Sequence, residues 1–297
     1  MPGYVDKTLK RLQYKPHKIP QFSPHPHVPI IYGTKGARQY ATTPDTSPLL
    51  PQTNIRNIQS INGSFLYYAR ALDSNMLVGL NDISRQQAKP TETTKTKCQQ
   101  LMDYAATYPD VYIRFYASDM SLHVDSDAAY LVSPNAKSRI SGFFYLAEHP
   151  DKTTQPTLNG AILVECKTLR HVVTSAAEAE IAGVFHNAQI SIVIRRILEA
   201  LNHPQPPTPI KTDNSTANGF IHNNIHQKRS KSWDMRYYWL REQQTKNQCK
   251  FFWAKGIDNH ADYTTKHHAT KHHIATRATQ QYVRDKSPLP PVIHNQL

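Results

Sequence analysis

The chain has 297 residues and 33.9 kDa, with 35 Lys and Arg against 22 Asp and Glu, a formal net charge of +13 and a pI near 9.6. Such an excess of cations points to a polyanionic partner, because each neutralised phosphate releases condensed counterions. No run approaches the ~20 consecutive apolar residues of a membrane span, and Cys98, Cys166 and Cys249 form no CxxC pair, so a membrane partner, a disulfide framework and a zinc knuckle are all disfavoured.

The opening MPGYVDKTLKRLQYK is basic but lacks the apolar core of a signal peptide, and it reads like the interior of a larger protein. Pro16, Pro20, Pro24, Pro26 and Pro29 interrupt any helix or central strand, so residues 1–50 are expected to be extended or loop. Ile58, Ile61, Phe65, Leu66, Ala69 and Leu72 then recur at helical spacing, a second such run covers about 75–87, and Pro90-Thr91-Glu92 opens a third helix through Leu101 and Ala105. These three helices form a small module over residues 51–109.

From Val111 the pattern changes to short β-branched and aromatic runs: VYIRFY, SLHVD, SRISGFFYL and AILVEC. Turn residues such as Ser133-Pro134-Asn135 and Asn159-Gly160 separate them, which predicts antiparallel strands. A long helix follows over about 176–202, with Ser175 as N-cap and Ile181, Val184, Phe185, Ala188, Ile192, Ile197, Leu198 and Leu201 on its core-facing stripe. Pro204 to Pro209 end it. TPIKTD reads as a strand, STANGFIH and SKSWDMRYYWLREQQ as helices, KFFWAK as a last strand, and a final helix is expected to start near Asn259. The whole makes one α/β domain over 110–275, with a flexible tail over 276–297.

Four acidic residues sit in contexts that would aim them at one point. Asp125 lies in LHVDSDAAYL, Glu180 in SAAEAEIAGVF, Asp213 at the end of PIKTDN, and Asp262 in DNHADYTTKHH. Carboxylates gathered in this way repel one another unless cations sit between them, and Mg²⁺ favours oxygen ligands. Asp127 is the rival of Asp125, since both would point to the same face of a strand. Asp125 is preferred because it comes first and lies nearer the middle of the strand. Glu178 and Glu180 are about 200° apart on a helix, so only one can face the site.

These strings resemble one branch of the ribonuclease H fold, the ribonuclease H domain of copia-type retrotransposon polyproteins. The resemblance rests on VDSDAAY with SRISGFFYL, SAAEAEIAG, TDNSTA, RSKSWDMRYYWLRE and NHADYTTK. Upstream, INGSFLYYARALDSNML and the run from Leu80 to Pro109 resemble the family's reverse-transcriptase thumb and connection. Ser232 stands where the family has His, and Ile181 where it has Tyr. No YxDD-type carboxylate pair of a polymerase palm occurs, so no polymerase activity is expected.

The resemblance implies a mixed five-stranded sheet flanked by helices and a hydrolase that cuts the RNA strand of RNA/DNA hybrids. Asp125, Glu180, Asp213 and Asp262 would hold two Mg²⁺ ions, with Mn²⁺ able to substitute. Asn214 would either touch the hybrid or cap a helix, and Lys228, Arg229, Lys231, Arg236 and Arg241 would meet the DNA strand's phosphates. The upstream reverse-transcriptase portion of the same polyprotein is a further expected partner. A virus-like particle in the cytoplasm, or the nucleus, is the expected location, and secretion is not. The alternative is a decayed fragment that binds nucleic acid without cutting it; a transposase or integrase fits less well, because those place their Glu last. In the tail, His268 and His272 are spaced for zinc on a helix face, but no carboxylate or thiolate lies beside them in sequence.

Overall fold

A computed structural model describes residues 1–17, 19–30, 42–153, 155–222 and 231–283. The chain begins with a helix, α1 (Tyr4–Arg11), where an extended segment was expected. Val5, Thr8 and Leu9, at helical spacing, are buried, and the Tyr4 ring stacks on Tyr68 of the next helix. The prolines break the chain only from Pro16 onward.

Three helices follow as expected: α2 (Gln52–Ala71), α3 (Leu77–Gln86) after a short 3₁₀ turn, and α4 (Glu92–Thr107). Ile58, Ile61, Phe65, Tyr68 and Ala69 form the buried stripe of α2. Thr91 and Thr94 close a reciprocal capping box at the start of α4, satisfying two otherwise orphaned N–H groups.

The strands are β1 (Val111–Tyr112), β2 (Ser121–Ser133), β3 (Lys137–Ala147) and β4 (Ala161–Thr168). Then come α5 (Ala176–Ala200), β5 (Thr208–Thr212), α6 (Ser215–Ile221), α7 (Lys231–Thr245), β6 (Cys249–Trp253), α8 (Thr270–Gln280) and β7 (Tyr282–Val283). Five strands make one mixed sheet in the order β4-β3-β2-β5-β6. The β2–β3 and β3–β4 pairs are antiparallel, and β2–β5 and β5–β6 are parallel. This is the α/β, ribonuclease H-like arrangement implied by the sequence. Asn135 and Ala136 take positive φ in the tight β2–β3 connection.

Alternation along β3 builds a core on each face of the sheet. Phe144 packs with Leu122, Val124, Ile210 and Phe251 against Ile181, Val184 and Ala188 of α5. Phe143 and Tyr145 face the other way, into a core shared with Phe65, Leu80 and Leu101 of the helical segment. The helices and the sheet are therefore joined by continuous apolar packing.

Four further expectations need correcting. VYIRFY supplies only the two-residue β1, which pairs with β7 in a separate sheet while Phe115 and Tyr116 remain exposed. Ile197 and Leu201 lie on the exposed side of α5, because the sheet covers chiefly its first four turns. The stretch after Asn259 forms a 3₁₀ turn, Asp262–Thr264, and the helix starts at Thr270. Since α8 and β7 extend to Val283, the first part of the expected flexible tail is ordered structure; residues 284–297 lie outside the described residues.

Candidate active site

The β2–β5 register selects the acidic residues that meet. Parallel pairing sets Asp125 opposite Lys211. The next side chain on the same face of each strand is two residues on, Asp127 and Asp213. The first turns of α5 add Glu180, and one carboxylate oxygen from each of Asp127, Glu180 and Asp213 lies within 4.8 Å of the other two.

Hydrogen bonds hold two of the carboxylates and the backbone of the third residue. Thr265 Oγ1 donates to Asp127 Oδ2 at 2.5 Å, the Ala128 N–H donates to Glu180 Oε1 at 3.2 Å, and Trp253 Nε1 donates to the Asp213 carbonyl at 2.8 Å. The Glu180 rotation is separated from that of Glu178 as the helix requires: Glu178 accepts from the N–H and hydroxyl of Thr174 at 2.6 and 2.8 Å. Gly256 lies so close to Asp213 that a methyl group there would come within 2.6 Å of the carboxylate oxygen.

The electrostatics are those of a cation site. Burial raises the Asp127 carboxyl to about 6, Lys266 opposes the rise, and Asp262 and Asp213 add to it. Burial and then the charges of Asp127 and Asp213 push Glu180 well above the usual carboxylate range. Asp213 is raised by burial too, again with Lys266 opposing and Asp262 adding. Three mutually repelling oxygen donors with no sulfur or nitrogen among them suit a hard divalent ion. Among the described residues, this is the one group of three or more Asp, Glu, His or Cys close enough to share a metal.

The expected quartet does not assemble as stated. Glu180 and Asp213 are in place, but Asp127 occupies the position assigned to Asp125. Asp125 is held in a buried ion pair with Lys211 at 2.8 Å and accepts the His260 N–H at 3.0 Å. The reason is the neighbouring strand: alternation gives Asp125 and Asp127 the same face, and only the parallel register puts a lysine beside one and an aspartate beside the other. Asp262 stands at the margin, close enough to act on Asp127 and Asp213 electrostatically, and it is ion-paired with Lys266.

The expected substrate contacts divide. Asn214 caps α6, its Oδ1 accepting the Ala217 N–H at 2.9 Å. Arg236 is half-buried near His171, with Nη2 3.1 Å from its Nε2. Arg241 makes structural contacts: its guanidinium donates to the carbonyls of Ile221 and Phe220 and lies over the Tyr237 ring at 3.9 Å. Lys228 and Arg229 lie outside the described residues, as do the side chains of Lys231 and Ser232. His268 and His272 stack on each other at 4.1 Å and on Tyr263, and burial with the His272 charge lowers His268 to about 4. They belong to an aromatic stack.

Sequence reasoning passed over Thr265, Lys266, Lys211 and Trp253. The first two are the last residues of NHADYTTK, and Lys211 sits two residues before Asp213, mirroring the Asp125 to Asp127 step.

No protein-family model matches the chain, and no curated protein matches it. Among solved structures, the N-terminal ribonuclease H domain of a Mycobacterium tuberculosis protein is similar at 10% identity and TM-score 0.33, over 54% of this chain and 98% of that one. Ribonuclease H1 of Halobacterium salinarum gives 12% identity and TM-score 0.34, over 48% and 92%. A foamy viral protease-reverse transcriptase, solved with an RNA/DNA hybrid, gives 14% and 0.42, over 83% of this chain and 28% of that one.

Proposed function

We propose that this protein is a divalent-metal-dependent endonuclease that hydrolyses the RNA strand of RNA/DNA hybrids, the ribonuclease H part of a copia-type retrotransposon polyprotein. The observation that carries the reading is the convergence of Asp127, Glu180 and Asp213, from a strand, a helix and a strand end, to within 4.8 Å. The five ordered motifs and the net charge of +13 support the nucleic-acid substrate. Mg²⁺, with Mn²⁺ able to substitute, is the proposed ion.

Asp127, Glu180 and Asp213 would hold the ion, and Asp262 adds negative charge at its edge. When bound, a divalent ion supplies a more acidic water and neutralises charge on the phosphate. The chain's own groups prepare that chemistry. Thr265 and the Ala128 N–H set the directions of two carboxylates, and burial keeps their fields strong by excluding water. Lys266, beside Asp262, offsets part of the local negative charge that would repel an incoming phosphate. The products would carry 3′-hydroxyl and 5′-phosphate ends. Particle-bound cytoplasmic or nuclear action, next to the reverse-transcriptase portion of the polyprotein, belongs to the same proposal.

A second reading, nucleic-acid binding without cleavage, draws on the ion pair of Asp262 with Lys266 at the margin of the site, which leaves three central carboxylates where four were expected. A labelled hybrid incubated with and without Mg²⁺ separates the two. Cleavage that needs Mg²⁺ and is lost in Asp213→Asn supports the nuclease; a shifted band with no product at any Mg²⁺ concentration supports binding alone.

A further inference from the structure

Four consecutive residues after Tyr263 each hold a different partner. The Thr264 hydroxyl meets that of Ser141, the Thr265 hydroxyl donates to Asp127 at 2.5 Å, Lys266 pairs with Asp262, and His267 Nε2 lies 2.7 Å from Asp82 Oδ2. Asp82 is on α3, in the helical segment. Its other oxygen takes Arg139 Nη2 at 2.6 Å, and Arg139 Nη1 donates to the Thr265 carbonyl at 3.2 Å.

A continuous route thus leads from α3 to the acid cluster: Asp82, Arg139, Thr265, Asp127. Arg139 and Thr265 are fully buried, and Asp127 is 2% exposed. The planar guanidinium holds Asp82 and the Thr265 backbone in one fixed geometry, which an ammonium could not reproduce. The Thr265 hydroxyl then uses one lone pair of Asp127 and so aims the rest. Asp127 has particular need of this, since Glu180 and Asp213 repel it and favour its turning away.

We propose that Asp82 and Arg139 are positioning residues for Asp127, acting through Thr265, so that the helical segment 52–107 sets the metal affinity of a site built on the sheet. The inference rests on the metal-site reading above.

The test uses the full chain and Mn²⁺ alone, with free Mn²⁺ followed by electron paramagnetic resonance and folding by circular dichroism. Thr265→Val, which keeps the shape and removes the hydroxyl, is expected to weaken Mn²⁺ binding about tenfold, the usual scale for a residue that orients a metal ligand. Thr265→Ser should restore most of it, and Asp82→Asn should weaken it several-fold. Because they share one route, Asp82→Asn with Thr265→Val should lose no more than the larger single loss. Loss of binding in Asp127→Asn, with unchanged affinity in Thr265→Val, would overturn the inference and leave the metal site standing. Multiplying losses in the double variant would overturn the route. Parental affinity in Asp127→Asn would overturn the metal site and the inference with it. Should Asp82→Asn fail to fold, Arg139→Lys, which keeps the charge and loses the planar fork, takes its place: a several-fold loss of Mn²⁺ affinity is expected, and parental affinity would overturn the inference.

Discussion

Asp82 and Asp127 are both largely buried carboxylates, and both bond to the same short segment, yet their surroundings treat charge in opposite ways. Desolvation would raise Asp82, but Arg139 and then His267 hold it far below the usual carboxylate range. Asp127 suffers the same desolvation and has other carboxylates as neighbours, with Lys266 compensating only in part, so it rises to about 6. One site is electrically complete within the chain. The other is a pocket of unbalanced negative charge that a divalent ion would complete. A carboxylate whose charge is balanced within the chain and one whose charge is not are thus told apart by what faces them, not by burial.

The sharpest way to break this contrast is to neutralise each kind of carboxylate. Asp127→Asn and Asp213→Asn should reduce Mg²⁺-dependent hybrid cleavage to background, while the metal-free melting temperature at pH 7.5 stays level or rises because repulsion is relieved. A fall in melting temperature with cleavage intact would contradict the assignment. Asp125→Asn separates the ion-paired aspartate from the clustered one: it leaves Lys211 buried without its carboxylate partner and should cost about 3 kcal/mol of stability by denaturant unfolding, with Mn²⁺ affinity kept. Loss of Mn²⁺ binding in a folded Asp125→Asn protein would restore Asp125 as a ligand.

A pH series sharpens the contrast further. Because the folded Asp127 carboxyl sits near 6, above its ordinary value of 3.8, its contribution to stability is complete below about 4 and is lost as pH rises through about 6. In the absence of metal the melting temperature should carry that decline, and Mg²⁺ should reverse it at pH 7.5 but hardly at pH 5, where protons compete for the same oxygens. Scanning fluorimetry with and without Mg²⁺ reads both arms; a Mg²⁺ effect independent of pH would contradict the carboxylate site. The smallest expected effect is at the cap: Asn214→Ala should cost about 1 kcal/mol with hybrid affinity unchanged in a gel-shift titration.

The sequence by itself determined most of the elements and two of the three acids that cluster, Glu180 and Asp213. The α2 and α5 stripes, the turn after Ser133 and the capping residues Thr91, Ser175 and Asn214 are local signals, legible because neighbours within a few residues set them. Val5, Thr8 and Leu9 carried the same helical signal and were obscured by the prolines downstream. Glu180 and Asp213 were legible through their motifs. Tertiary structure alone decided between Asp125 and Asp127, because strand alternation is blind to the adjacent strand and only the parallel register brings Lys211 to one and Asp213 to the other. It also decided that Arg139 on β3 reaches Asp82 on α3. Pairings between residues far apart in the chain follow from how the whole is packed, and no local pattern encodes them.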